Sequence, residues 1–107
     1  MTSRARPPRI TASDDEILVL RLYVAGTSAR SARAIQNAKQ ICEQHLAGRY
    51  ELEVIDIFQQ TERARDDQIV AVPTLIKKLP APLKRFIGDL SDRDGVLVGL
   101  DVKQKEP

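Results

Sequence analysis

The side chains able to perform nucleophilic or acid–base chemistry are few in this chain. It contains one cysteine, Cys42, and one histidine, His45, which rules out a disulfide framework, a cysteine-based zinc site and a histidine-rich metal site. Ser28 and Ser31 have no base nearby in the sequence that could activate a hydroxyl group. The carboxylate pair Asp66-Asp67 precedes no histidine or cysteine ligand and is interpreted as a solvated face. The sequence therefore predicts a protein that is not an enzyme, with no catalytic residues, metal site or cofactor.

Length and charge narrow the class of protein further. The chain has 107 residues, with 17 basic and 15 acidic side chains and a net charge of +2. That length suits one domain, and the charge lacks the concentrated basic footprint of a nucleic-acid-binding protein. No apolar run approaches the ~20 residues that cross a bilayer, and the first residues lack the apolar segment of a secretory signal. We expect a cytoplasmic protein with no nucleic-acid or membrane partner.

The chain is expected to divide into one domain and two short ends. Residues 1–15 contain Pro7-Pro8 and offer little to bury, which predicts a disordered or extended tail. Residues 16–102 are expected to form the domain, and residues 103–107 a C-terminal tail. The domain opens with an apolar strand over residues 17–24. Because both faces of this strand are largely apolar, it is predicted to be a central strand covered on both sides.

A βαβ unit follows from the next two segments. Residues 31–47 repeat apolar side chains at spacings of three and four, which predicts an amphipathic helix. Ser28 or Ser31 is predicted to cap its free amides. Cys42 lies in the apolar stripe and is expected to be a buried thiol. Residues 50–58 predict a second strand, and the crossover between the two strands makes them parallel.

Proline determines where the third strand begins. A short charged helix is predicted over residues 61–68, and an apolar run follows over 69–78. Pro73 lies in the middle of this run and cannot donate to a strand ladder, so the strand is predicted to begin at Thr74. The segment Leu79-Pro80-Ala81-Pro82 is stiff and extended, and the residues after it predict either a strand or a helix.

Local signals disagree in the last segment of the domain. Ser91, followed three residues later by Asp94, resembles a capping box and predicts the start of a helix. The body of that helix, residues 95–100, contains two glycines and the β-preferring run Val96-Leu97-Val98. Because well-specified sequences carry signals that agree, the disagreement indicates a segment able to adopt either structure, with Ser91 biasing the choice. The alternative is an ordinary helix of weak propensity that packing stabilises.

The order of elements is typical of a thioredoxin-like domain. Such domains place a strand, a turn and a helix before a second strand, a short helix and a cis-proline, which would be the proline of Val72-Pro73-Thr74. Redox members carry Cys-x-x-Cys before the first helix, where a thiolate attacks a disulfide. This chain has Ser28-Ala29-Arg30-Ser31 there, and a serine hydroxyl cannot perform that exchange. The predicted fold class is therefore α/β and thioredoxin-like, with binding in place of redox chemistry.

The sequence also resembles the KaiB family of circadian clock proteins. The matching stretches span about residues 17–102 with essentially no gaps, and their order and spacing agree with the family. They are residues 20–26, 50–56, 73–75, 79–82 and 87–101.

This resemblance implies a metamorphic protein whose C-terminal half changes secondary structure. KaiB-like proteins exchange slowly between a ground state, usually tetrameric, and a monomeric thioredoxin-like state that binds the ATPase ring of the clock kinase KaiC. The family's prolines that become cis in the second state correspond to Pro73, Pro80 and Pro82. Positions whose substitution favours the binding state correspond to Gly99 and Asp101. The resemblance implies a non-catalytic clock component that binds KaiC after a slow fold switch, and that is a tetramer or dimer in its ground state.

Departures from the family leave two versions of this role open. Ala81 replaces an apolar or proline residue, the N-terminal tail is longer than in cyanobacterial members, and their acidic C-terminal tail is absent. These differences indicate a divergent or non-cyanobacterial member. The family's further partners are KaiA and a thioredoxin-like sensor kinase. The alternative is a protein that acts with KaiC in stress adaptation, without a KaiA-dependent oscillator.

Two other classes of function make different predictions. A thioredoxin-like redox protein would use Cys42 and would lose its activity in the Cys42→Ser variant. A nucleic-acid module would use Arg4, Arg6, Arg9 and the Lys84-Arg85 pair, and its affinity would fall steeply with salt. The missing Cys-x-x-Cys argues against the first class, and the net charge of +2 argues against the second.

Overall fold

Four strands and three helices make up residues 16–101, the part of the chain that the computed structural model describes. The expected tails over residues 1–15 and 103–107 lie outside the described residues. The elements, in chain order, are β1 (Leu18–Val24), α1 (Ala29–His45), β2 (Tyr50–Asp56), α2 (Thr61–Asp66), β3 (Thr74–Leu79), β4 (Lys84–Ile87) and α3 (Arg93–Gly99). None of the helices within residues 16–101 has the length and apolar character needed to span a membrane.

The strands form one mixed sheet in the order β2-β1-β3-β4. β1 and β2 are parallel, with Leu18 opposite Tyr50 and Val24 opposite Asp56, which confirms the predicted βαβ unit. β3 runs antiparallel to β1, and β4 runs antiparallel to β3. β1 is therefore an inner strand, as its two apolar faces predicted.

One face of β1 carries the larger core cluster. Leu18, Leu20 and Leu22 are 2% exposed or less, because α1 and α3 cover this face with apolar side chains. The helical residues and caps in the cluster are Ala34, Ala38, Ile41, Cys42, Leu46, Val96, Leu97 and Leu100. The apolar stripe predicted from the spacing in the first helix is thus its buried face.

Side chains near the element ends explain two shifted boundaries. α1 begins two residues before its predicted start because Ser28 is the N-cap, and its Oγ accepts a hydrogen bond from Ser31 N at 3.2 Å. Ser31 Oγ instead accepts from Ala25 N at 3.0 Å, which fixes the turn that leaves β1. β2 ends at Asp56, two residues early, since Asp56 Oδ1 accepts from Phe58 N at 2.8 Å in a turn.

The opposite face of β1 is organised around a buried carboxylate. Asp67 is only 8% exposed and accepts hydrogen bonds from three donors. These are Tyr23 Oη at 2.5 Å, Lys78 Nζ at 2.8 Å and Arg21 Nη1 at 3.1 Å. The prediction of a solvated Asp66-Asp67 face is therefore wrong for Asp67 and holds only for the exposed Asp66.

The contacts of Asp67 shift the pKa values of both Asp67 and Tyr23. Burial alone would raise the pKa of the Asp67 carboxyl, but the hydrogen bonds from Lys78, Tyr23 and Arg21 outweigh burial and lower the pKa to about 2. Burial raises the pKa of Tyr23 to about 12, and the hydrogen bond to Asp67 acts in the same direction. Asp67 is thus ionised at neutral pH and joins the end of α2 to β1 and β3.

In this structure both segments of the second half whose secondary structure the sequence left open have a definite assignment. β3 begins at Thr74 as predicted, the residues after the prolines form β4, and the last segment forms α3. The N-cap of α3 is Asp92, whose Oδ1 accepts from Gly95 N at 3.2 Å. Ser91 N instead donates to Asp89 Oδ1 at 3.1 Å. The capping box predicted at Ser91 is therefore wrong, because the loop before α3 uses Ser91 to bind Asp89.

Acidification should weaken the fold through Asp67. A carboxyl whose pKa falls from 3.8 to about 2 on folding stabilises the folded state at pH values above 3.8, and this contribution is lost as the pH approaches 2. Allowing for solvent screening, we expect the free energy of unfolding to drop by about 1–2 kcal/mol over this range. Urea unfolding at several pH values measures this change in the free energy of unfolding.

The neighbouring carboxylate supplies the matched control for this experiment. Asp67→Asn should flatten the dependence between pH 4 and pH 2, whereas Asp66→Asn, at an exposed position, should leave it unchanged. Equal pH profiles for the two variants would contradict the assignment to Asp67.

Candidate functional site

The turn before α1, where thioredoxin-like enzymes carry their cysteines, holds two structural hydroxyl groups. Ser28 caps the helix and Ser31, which is 1% exposed, binds the backbone of the preceding turn. The only histidine, His45, is the last residue of α1, at the opposite end of the helix. The hydroxyl groups therefore position the start of α1, and the two side chains between them, Ala29 and Arg30, are both exposed.

Cys42 lies in the core and does not supply a reactive thiol. It is 2% exposed, and burial raises the pKa of its thiol to about 12, with a smaller contribution from the charge of Glu43. Because the thiolate is the nucleophile in disulfide exchange, a thiol that stays protonated at neutral pH is poorly reactive. The burial and raised pKa of Cys42 therefore argue against the hypothesis of a redox protein that uses this thiol.

The peptide bonds before Pro73, Pro80 and Pro82 are all cis. Pro73 immediately precedes β3, at the end of the sheet where β1 finishes, because Tyr23 pairs with Thr74. Pro80 and Pro82 lie between β3 and β4 at the opposite end of the sheet. The structure therefore separates these prolines into two places, and their role in a fold switch stays a prediction.

Helix α1 holds the connection between β4 and α3 through Asp89. Arg33 Nε donates to Asp89 Oδ2 at 3.2 Å, and Asn37 Nδ2 donates to the Asp89 carbonyl oxygen at 2.8 Å. Hydrogen bonds from Ser91, and then the bond from Arg33, hold the pKa of the Asp89 carboxyl below its usual value. Sequence reasoning missed this contact, and no local pattern could have found it, since the partners are 56 and 52 residues away.

A cleft of about 370 Å³ lies beside this connection. Its walls come from the start of α1, the end of β4 and the first turn of α3, and they include Arg30, Gly88 and Ser91. Gly88 N donates to the Pro73 carbonyl oxygen at 2.9 Å, which links the cleft to the loop before β3. Ile87, also in the wall, is 65% exposed. Charged and apolar groups thus meet on one concave surface.

Gly99 and Asp101 lie at the other end of α3. A methyl group at Gly99 would contact the Phe86 ring, with Cζ 2.6 Å away, so the ring would have to move. Asp101 follows the C-cap in the left-handed conformation, at φ 60°, and its N–H donates to the Val98 carbonyl oxygen at 3.1 Å. Both positions therefore affect how α3 ends and docks, while their influence on a fold switch stays a prediction.

Sequence comparison relates the chain to proteins of known function. A family model described as the KaiB domain matches residues 21–102. The chain is 49% identical over 85 residues to circadian clock protein KaiB3 of Synechocystis sp., covering 79% of this chain and 83% of that protein. It is 50% identical over 88 residues to circadian clock oscillator protein KaiB of Trichodesmium erythraeum, covering 82% of this chain and 85% of that protein.

Structural comparison gives a consistent result for the fold. The N-terminal domain of Synechococcus elongatus SasA matches with a TM-score of 0.66 and 25% identity, over 92% of this chain and 93% of that one. The thioredoxin Deadhead of Drosophila melanogaster matches with a TM-score of 0.63 at 13% identity, over 79% and 81%, which shows the fold alone. The predicted thioredoxin-like α/β class is confirmed.

Replacing the N-cap of α3 should destabilise this end of the site. Asp92→Ala removes the acceptor for Gly95 N and should lower the free energy of unfolding by about 1 kcal/mol. Ser91→Ala, one residue earlier, should cost less than half as much, because the Ser91 side chain bonds the Asp89 carboxylate and does not cap the helix. Chemical denaturation followed by far-ultraviolet circular dichroism measures both. An unchanged free energy of unfolding in Asp92→Ala would contradict the assignment of the cap to Asp92.

Proposed function

The chain belongs to the KaiB family, and we propose that it is a circadian clock component that acts by binding the ring of a KaiC-type ATPase and kinase rather than by catalysis. Support comes from the KaiB family match over residues 21–102 and the identity of about half to named clock proteins. The buried Cys42 and the helix-capping Ser28 agree with a binding role. In this proposal the protein acts in the cytoplasm and modulates the phosphorylation cycle of its partner.

The observation that carries the mechanistic part of the proposal is α3. Its body contains Val96-Leu97-Val98 between two glycines, a composition that favours a strand, yet the segment is helical here. Val96 and Leu97 are buried against the sheet, so packing holds a helix that local propensity does not. A segment balanced in this way has a second arrangement within reach, which is what a fold switch needs.

The thioredoxin-like arrangement is proposed to be the one that binds the ring. If the competing ground state, a tetramer or dimer, is favoured by a few kcal/mol, the binding-competent fraction is small, and the apparent affinity falls by that fraction. The partner then draws the population toward the bound form. Pro73, Pro80, Pro82, Ser91, Gly99 and Asp101 are the positions assigned to this switch.

Gel filtration tests directly whether the chain binds KaiC, the proposed partner. We expect the chain to co-elute on gel filtration with a nucleotide-loaded KaiC hexamer after hours of incubation. Cys42→Ala should co-elute equally, whereas a redox protein that used Cys42 would lose its activity in that variant. Failure of the unmodified chain to co-elute would overturn the proposal.

Two versions of the role differ in whether KaiA takes part. Adding KaiA, or the thioredoxin-like domain of a sensor kinase, to the preformed complex distinguishes them. Recruitment of KaiA, or displacement by the kinase domain, supports a component of an oscillator. Binding to KaiC without either effect supports the alternative, action with KaiC in stress adaptation.

Substitution of Gly99 should have two opposing effects on α3, a gain in helix propensity and a steric clash with the Phe86 ring. Alanine removes the entropic cost of glycine in a helix, about 1 kcal/mol, but its methyl group must displace the Phe86 ring. Gly99→Ala should therefore accelerate binding to the KaiC ring at least twofold more in a Phe86→Leu background than in the native one. A double-mutant cycle of binding rates measures this, and additive effects would argue against the Phe86 contact.

A further inference from the structure

Residues in the left-handed backbone conformation are distributed unevenly between the two halves of the described chain. In the first half, positive φ angles fall on glycines, Gly26 and Gly48. In the second half they fall on Gln68, Leu90 and Asp101, as well as on Gly88. An L-residue in this conformation brings Cβ close to a backbone carbonyl oxygen, which glycine avoids. The cost of left-handed turns is therefore concentrated in the half that is proposed to change its fold.

Gln68 occupies the position in a helix cap where glycine is normally found. It follows Asp67, the C-cap of α2, and has a φ of 56°. Its N–H donates to the Arg65 carbonyl oxygen at 3.0 Å, and the next N–H, of Ile69, donates to the Ala64 carbonyl oxygen at 2.9 Å. These two bonds form a Schellman motif, whose left-handed residue is usually glycine and sometimes asparagine.

The conformation of Gln68 controls the residues on both sides of it. Asp67 immediately before it reaches into the second face of the sheet to meet Tyr23 and Lys78. Ile69 immediately after it packs against the apolar cluster on the same face. From here the chain continues to β3, so the left-handed turn joins α2 to β3.

The side chain of Gln68 contributes little that would complicate a substitution. It is exposed, and it makes no hydrogen bond to any residue in the described part of the chain. Only its backbone is engaged, including its carbonyl oxygen, which accepts from Arg85 Nη1 at 3.4 Å. Leu90 is unsuitable for the same test because its side chain is buried in the core at 5% exposure.

We propose that Gln68 sets how much of the chain occupies the thioredoxin-like fold, because its left-handed conformation penalises this fold against its competitors. The identity of one competitor, the ground-state arrangement, rests on the proposed function. The penalty itself is a property of the cap. Glycine or asparagine at position 68 relieves it, and alanine retains it.

Three variants of the full-length chain test this proposal: Gln68→Gly, Gln68→Asn and, as the matched control, Gln68→Ala. Nuclear magnetic resonance spectra give the ratio of the resonances of the thioredoxin-like fold to those of the other fold. We expect this ratio to be about fivefold higher in Gln68→Gly than in Gln68→Ala, with Gln68→Asn in between. Binding to a KaiC hexamer should accelerate in the same order. Equal ratios in the three variants, or the reverse order, would overturn the proposal.

A second measurement separates failure of this proposal from failure of the proposed function. If every variant shows one set of resonances and none binds KaiC, the proposed function fails, and the unfolded chain is the remaining competitor. The urea midpoint of Gln68→Asn should then still exceed that of Gln68→Ala, since asparagine tolerates the left-handed conformation without the extra unfolded-state freedom of glycine. Equal midpoints would overturn the assignment to Gln68.

Discussion

The burial of β1 on both faces is the constraint on which the rest of the structure depends. One face packs Leu18, Leu20 and Leu22 beneath α1 and α3, and the other holds Tyr23 against Asp67. A strand buried on both sides needs a neighbour on each edge and a layer over each face. β2 and β3 supply the two neighbours and the three helices supply the layers, while β4 extends the sheet beyond β3.

Periodicity in the sequence predicted the elements that β1 organises. The two apolar faces of β1 and the three- and four-residue spacing of α1 are local patterns, and they give the βαβ unit with its parallel strands. Asp67 could not be predicted in the same way, because its role depends on Tyr23 and Lys78, 44 residues before it and 11 residues after it. An adjacent carboxylate, Asp66, has the same local context and stays exposed, so only the tertiary structure distinguishes the two.

The same limit applies to the candidate site. The serines at the start of α1 were visible as replacements for cysteine, and the structure shows what they do instead, which is to hold the turn and the helix cap. The bonds from Arg33 and Asn37 to Asp89 join segments more than 50 residues apart and have no sequence signature. The chain thus keeps the thioredoxin-like framework and uses it to fix a loop and a cleft.

The packing of helix α3 explains the contradictory local signals in its sequence. Gly95 and Gly99 weaken a helix by propensity, yet neither position has room for a side chain in the docked helix. A methyl group at Gly95 would lie 2.5 Å from Asp92 Oδ2, the capping carboxylate, and one at Gly99 would meet the Phe86 ring. The glycines that disfavour the helix in isolation are therefore the residues that allow its cap to form and its end to pack. Docking supplies the contacts that offset the unfavourable helix propensity of the two glycines. Loss of docking would therefore remove the interactions that stabilise the helix. In the proposed fold switch this segment would therefore change its structure as a unit, since intermediate states would have the cost of the glycines without the contacts that offset it.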